Sequence, residues 1–406
     1  MISRHSPFPF APRRLRAPDY AVVLLLALGG ALPVLAEESE DGTTAAQTDK
    51  AVSAAPAKAD ATLGKVTVTA RRREEDSQKV PTPITVVGGE TLETQRVYKV
   101  QDLQQILPSV NVAFIHARQS SIAVRGIGNN PASDGLEGSA GVYLDNVYLG
   151  RPGMAVFDLL DIEQLELLRG PQGTLFGKNT TAGVLNISTR APTFSPERSV
   201  EVSGGQDGYF QGKGTVSGAL TDTLAGRVSA YRTRDDGYIK NVHDDNYLNG
   251  GERQGIRGQL LFKPNEDFDL RWINDYNEED SSNGSMVVYG AADRFWQRAA
   301  AVGASPIRDP DRHKVNINSR QHVSVHQGGS SVEANWNLNG GYKLTSISAY
   351  RYWHFTPAND EQLNVSAINN TGVEVHDRQF SQEIRLASPT GGFFDYVLGA
   401  YAFNQN

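Results

Sequence analysis

The second half of the chain alternates. From about Arg198 onward, apolar and polar residues take turns in segments of roughly ten, and polar turns separate the segments. Ile256, Gly258, Leu260 and Phe262 alternate with Arg257, Gln259 and Lys263. Phe268, Leu270 and Trp272 alternate with Asp269 and Arg271, and Phe380, Ile384 and Leu386 with Ser381, Glu383 and Arg385. A period of two predicts strands with one apolar face. Pro264-Asn265-Glu266 makes a short turn between the first two, whereas residues 235–251, 278–320 and 357–377 are long polar connections. Short turns at one end and long loops at the other fit an antiparallel barrel in a membrane, its apolar sets facing lipid and its charged sets the lumen. Trp272, Tyr276, Tyr352 and Trp353, near strand ends, are then expected in interfacial girdles. A soluble β-sandwich alternates too, but does not call for one elaborated end.

The front half mixes periods. Ile84, Val86 and Val87 predict a short strand, and residues 90–96 and 100–107 predict helices. Leu103 and Leu107 share a helix face, with Ile106 beside them, before Pro108 ends the run. Residues 121–125 run into Gly126-Ile127-Gly128, and Asp145-Asn146 turns a strand at Val142-Tyr143-Leu144 into one at Val147-Tyr148. Leu165, Leu167 and Leu168 make an apolar strand that reaches Arg169 and then a tight turn at Gly170, Pro171 and Gly173. Gly177-Lys178-Asn179 and Gly183 make a second turn, followed by a strand at residues 184–189. Gly177-Lys178 is not a phosphate loop: Gln172 stands where its first glycine is needed, and Asn179 where a Ser or Thr would hold magnesium. An α+β domain over residues 78–192, followed by strands over 198–406, is the expected organisation.

Composition narrows the function. The 406 residues carry a net charge of −7 and no cysteine, which excludes disulfides and thiolate metal sites. Mild acidity gives no sign of a nucleic-acid partner. Arg13, Arg14 and Arg16 precede an apolar run of about 15 residues, short for a membrane span, and Val34-Leu35-Ala36 offers small residues for cleavage. Residues 1–36 are therefore expected to be a signal peptide, and the polar stretch 37–64 a flexible tether. No catalytic set emerges. The histidines are scattered, and His322 and His326, on a predicted strand, stand about 13 Å apart, too far to chelate together. No metalloprotease or nucleophile-elbow motif occurs, so neither an enzyme nor a cofactor is expected. Glu278-Glu279-Asp280 and Asp309/Asp311 suit solvated loops, with calcium binding as the alternative. Phe295-Trp296-Gln297-Arg298 suits a local helix better than a ligand patch.

In order along the chain, these pieces resemble TonB-dependent outer-membrane receptors. The resemblance rests on Arg125-Gly126-Ile127-Gly128, the hairpin at 142–148, Asp161-Ile162-Glu163, Arg169-Gly170-Pro171-Gln172-Gly173, and Gly177 with Asn179. It implies an α+β plug domain followed by an antiparallel transmembrane β-barrel. It also implies a role for Lys65-Val66-Thr67-Val68-Thr69-Ala70, which stands beside the charged run 71–76. On residues alone this is equally the first strand of the plug. By its place in the family it is the TonB box, whose Val66, Thr67, Val68, Thr69 and Ala70 would add as a strand to TonB.

The implied partners are TonB with its inner-membrane energising complex, outer-membrane lipid, and an extracellular ligand, by family default a ferric-siderophore-type iron chelate. Cobalamin and carbohydrates are alternative cargoes. One count stands apart. Roughly eight or nine strands are found after Arg198, whereas plugged transporters have about 22, and the last residue is Asn406 rather than an aromatic. The expectation is an N-terminal fragment or truncated reading frame, with a non-transporting remnant as the alternative function.

Overall fold

The computed structural model describes residues 66–69, 71–128, 137–308, 313–318, 321–358 and 372–406. The expected signal peptide and tether, Lys65, Ala70, Asp309 and Asp311 lie outside the described residues.

The front domain is built on a five-stranded sheet. Its strands are β3 (Ile84–Gly88), β6 (Ala140–Leu144), β7 (Val147–Tyr148), β8 (Ile162–Arg169) and β9 (Gly183–Thr189), in the order β3-β8-β9-β6-β7. Only β6 and β9 run parallel. The hairpin of β4 (Val110–His116) and β5 (Gln119–Val124) stands apart from this sheet, and β1 (Thr67–Val68) pairs with β2 (Glu75–Asp76).

Alternation splits the five-stranded sheet into two faces. Leu165, Leu167, Leu185 and Ile187 enter the main core with Leu92, Leu103 and Leu107. Leu168 and Val184 point the other way and pack with Val68, Val80, Tyr143, Tyr148 and Phe176. The predicted helices appear as α1 (Gly89–Thr94) and as a 3₁₀ helix at Val100–Gln105. The second stays tight because Asp102 caps its start, accepting the Tyr98 and Lys99 N–H groups, while Pro108 bars continuation. The turns lie where glycine predicted them. Gly170 sits at φ +85°, and a Cβ on Gly183 would lie 2.4 Å from the Leu168 carbonyl oxygen.

A nine-stranded antiparallel sheet follows. It contains β10 (Glu197–Gly204), β11 (Phe210–Ala219), β12 (Leu224–Asp235), β15 (Gly251–Phe262), β16 (Phe268–Ser281), β18 (His322–Leu338), β19 (Tyr342–Ala358), β20 (Val375–Ala387) and β21 (Val397–Gln405). Each pairs with its neighbours in this order, and the sheet is open, with β10 and β21 at its edges. Ile256 and Phe380 are half exposed on the outer face, while Arg257 and Gln379 are buried on the inner one, as the alternation predicts.

Two expectations change. Trp353 is not in a girdle. It is buried, stacks on Phe355 and packs against Gly153 of the front domain. Tyr352 and Trp353 are adjacent on one strand, so they cannot share a face. The long connections are also more structured than polar loops. β13 (Ile239–Asn241) and β14 (Tyr247–Leu248) from one connection join β17 (Lys314–Val315) from the next, burying Ile239, Leu248, Val315 and Ile317. Phe295–Arg298 falls within a local helix, α3 (Asp293–Ala301).

Candidate functional site

The front domain offers a distinct arrangement at each end. Near the short turns lies the N-terminal segment. Val68 has no exposed surface, while Thr67 and Val66 face outward. The two-residue ladder with β2 ends at Val68, and the next N–H, on Thr69, donates to Glu166 Oε1 at 2.8 Å. The Thr69 hydroxyl also donates to the Glu166 carboxylate, and Asn186 Nδ2 donates to that hydroxyl at 3.1 Å. Glu166 is fully buried, and burial pushes its carboxyl above the ordinary glutamate range despite the hydrogen bonds from Thr69, Asn186 and Gln164.

The charged run beyond the segment is tied down as well. The Arg72 guanidinium lies 4.2 Å from the centre of the Phe176 ring and 5.0 Å from that of Tyr143, and its Nη1 donates to Asn146 Oδ1 at 3.2 Å. Arg73 donates to the Tyr396 carbonyl and to Ser388 Oγ in the short turn before β21.

Sequence reasoning singled out Val66–Ala70 and missed Glu166, Asn186 and Arg72. A signal existed for the first two. Each is a polar residue facing the opposite way from its aliphatic neighbours: Glu166 between Leu165 and Leu167, Asn186 between Leu185 and Ile187.

The motif residues form two groups rather than one site. Arg169 donates to Ser109 Oγ at 3.1 Å and to Thr85 Oγ1, while the Arg125 N–H donates to the Ser109 carbonyl at 2.7 Å. Gly126 continues that turn at φ +76°. The Gly170 N–H closes its own turn onto the Ala182 carbonyl. Pro171 leads to Gly173, where α2 (Gly173–Phe176) begins, and Gly177 ends it at φ +74°. Asn179 Nδ2 then donates to the Tyr148 hydroxyl at 2.8 Å. Both groups shape turns.

The barrel wall grips the front domain through its own basic and polar side chains. Arg227 pairs with Asp161 at 2.6 and 2.7 Å, and the Ser229 hydroxyl donates to the same carboxylate. Arg253 pairs with Asp158, which also accepts the Tyr231 hydroxyl. Arg257 donates to the Leu160 carbonyl at 2.8 Å, and Arg271 to the Thr189 carbonyl at 3.0 Å. Burial alone would raise the Asp161 carboxyl, but the hydrogen bonds from Arg227 and Ser229 outweigh it and hold the group below the ordinary range. Bidentate Arg–carboxylate pairs of this kind fix orientation as well as contact.

At the opposite end, beneath the long connections, lies a cavity of about 320 Å³. Lys99, Gln101 and Phe114 line it from the front domain, and Tyr238, Arg253 and Glu279 from the wall and its loops. Burial and the nearby Arg253 charge both push the Lys99 ammonium below its usual range. The acids there are engaged: Asp158 by Arg253 and Tyr231, Asp102 by the helix start, Glu279 by Ser281 and Asn283.

Residues 76–184 match the TonB-dependent receptor plug domain family. The pesticin receptor of Yersinia pestis is 32% identical over 177 residues, which are 42% of this chain and 25% of that receptor. The vitamin B12 transporter BtuB of Photobacterium profundum is 30% identical over 172 residues, 42% of this chain and 28% of that protein. Among solved structures, the ferric yersiniabactin uptake receptor FyuA from Yersinia pestis aligns with a TM-score of 0.66 at 22% identity, covering 80% of this chain and 48% of that one. The ferripyoverdine receptor of Pseudomonas aeruginosa aligns with a TM-score of 0.64 at 17% identity, covering 84% and 44%. The chain thus spans about a quarter of the length of these curated relatives and just under half that of the solved structures.

Proposed function

We propose that this chain, a TonB-dependent receptor plug joined to strands of an outer-membrane barrel, serves the energised import of a scarce solute. Residues 66–70 are the handle on which TonB pulls, and the cavity beneath the long connections receives the ligand. One observation carries the reading: both ends bear on the same strand. The loop Asp158–Asp161 touches the cavity wall and leads directly into β8, and β8 carries Glu166, which holds Thr69. A ligand that alters the upper contacts therefore acts on the element that docks the segment, which is coupling between two sites through one shared body. Force from the inner membrane, delivered through the segment, then rearranges the plug.

An iron chelate is the favoured cargo, because a ferric yersiniabactin and a ferripyoverdine receptor are among the structural neighbours. Cobalamin is the second reading, since a vitamin B12 transporter matches this chain nearly as well as the pesticin receptor does.

The test is uptake by cells carrying the receptor with Val68→Pro. Proline removes a strand donor and blocks pairing with a partner sheet. Uptake should be abolished while ligand binding at the cell surface persists. Thr67→Pro, at a side chain that is exposed rather than buried, should behave the same way. Uptake retained in both variants removes the segment from the mechanism.

A further inference from the structure

Glu166 stands in the middle of β8, opposite Asn186 of β9, on the sheet face that otherwise presents Leu168 and Val184. It has no exposed surface and, among the described residues, no cation within hydrogen-bonding reach; its donors there are Thr69, Gln164 and Asn186. A buried carboxylate without a countercharge is costly, and each donor offsets part of that cost. Two of the donors, the Thr69 N–H and hydroxyl, belong to the N-terminal segment. The Thr69 N–H is the first one beyond the short ladder of β1, so Glu166 takes over where backbone pairing stops. Asn186 completes the arrangement. Its amide donates both to Thr69 and to Glu166, while its carbonyl oxygen has no partner among the described residues. A leucine at position 166 would extend the apolar face but accept nothing from the segment.

We propose that Glu166, backed by Asn186, is the latch that holds residues 66–69 against the plug and sets how readily they are surrendered to a partner. This rests on the reading of those residues as the TonB box. Val68 supplies apolar contact, which resists departure without direction, whereas the carboxylate fixes the register of Thr69. Pulling the segment away strips Glu166 of two donors and opens its pocket to water, so docking and release form a two-state choice at one residue.

The chain has no cysteine, so Thr67→Cys carries a single nitroxide label at an outward-facing position. The receptor bearing it, in outer-membrane vesicles, reports the ratio of mobile to immobile segment by electron paramagnetic resonance. Glu166→Ala should raise that ratio roughly tenfold to a hundredfold, the span expected for losing hydrogen bonds to a charged acceptor. Glu166→Gln keeps an acceptor and should stay within about threefold of the parent. Thr69→Val, which leaves the plug core intact, should raise the ratio by itself and add distinctly less once Glu166 is alanine, because only the Asn186 bond to the hydroxyl is then left to lose. An unchanged ratio in Glu166→Ala overturns the latch, and so does a full additional effect of Thr69→Val in the double variant. Capture of the purified TonB periplasmic domain by the same receptor in detergent micelles, where both faces are accessible, separates the two ideas. Release without increased capture leaves the latch standing and removes the TonB-box reading, whereas no release removes the latch whatever TonB does.

Discussion

The plug meets the barrel wall largely through paired charges and meets its own N-terminal segment largely without them. On the wall side, Arg227 and Arg253 reach buried carboxylates, and Arg257 and Arg271 reach backbone carbonyls. On the segment side stand one buried valine, one carboxylate with neutral donors, and one arginine stacked on two rings, with a single longer ion pair to Glu383 at 3.9 Å. The wall contacts are spread over many side chains, the four arginines on three strands among them, with Tyr231, Asp377 and Gln379 adding to the grip, while the segment's are concentrated in a few side chains. Buried ion pairs add little net stability over an apolar packing, but breaking one of the two partners is expensive. On the proposed function, a pull on the segment meets its weakest resistance at the segment itself, so the segment comes free before the wall contacts yield.

The largest effect should come from the wall. Arg227→Ala leaves Asp161 buried with only Ser229 to satisfy it, since both guanidinium bonds are gone. The expected cost is about 3–5 kcal/mol, measured as a lower denaturant midpoint for plug unfolding in micelles. Pairing Arg227→Ala with Asp161→Ala should recover most of it, because no charge is then left alone. A single-variant cost below about 1 kcal/mol would erase the contrast between the two attachments.

A smaller effect should follow pH. The groups that set the Glu166 titration in the docked state, Thr69, Asn186 and Gln164, are neutral, and burial raises its carboxyl above the ordinary range. Undocking hydrates the group and returns it toward the ordinary glutamate range. The docked form therefore holds its proton to higher pH, and docking is favoured below the ordinary glutamate value. That contribution is lost as pH rises through the raised docked value. The mobile fraction of a label at position 67 should increase across that window, and Glu166→Gln should flatten the response. A flat response in the parent chain would mean that the carboxylate does not change state on release.

Much of this contrast was legible in advance, though unevenly. The turns at Gly170 and Gly177, the hairpin at Asp145-Asn146 and the strand alternation all depend on local rules, and they appear where the residues predicted them. The segment 66–69 was legible as an isolated β-prone stretch. Its docking was not, because the partners lie about a hundred residues further along the chain and no local pattern links them. Trp353 failed for another reason: aromatic residues suit a girdle and a plug contact equally, and only strand parity separates the two. The small sheet of β13, β14 and β17 joins two connections far apart in sequence, each reading as a polar loop by itself.

The smallest effect should come from Arg72, and it sharpens what kind of contact holds the handle. Its guanidinium faces Phe176 and Tyr143, donates to Asn146 and to the Leu175 carbonyl, and lies 3.9 Å from the Glu383 carboxylate. Lysine keeps the charge but loses the planar stack and the fixed fork of donors. If stacking carries the contact, Arg72→Lys should loosen the segment by about 0.5–1 kcal/mol, a severalfold rise in the label's mobile population. If charge alone carries it, Arg72→Lys should be silent and Arg72→Gln should loosen the segment instead. The first outcome makes the stack, rather than the Arg72–Glu383 pair, the main contact on the segment side. The second would make the two attachments alike in kind and different only in number.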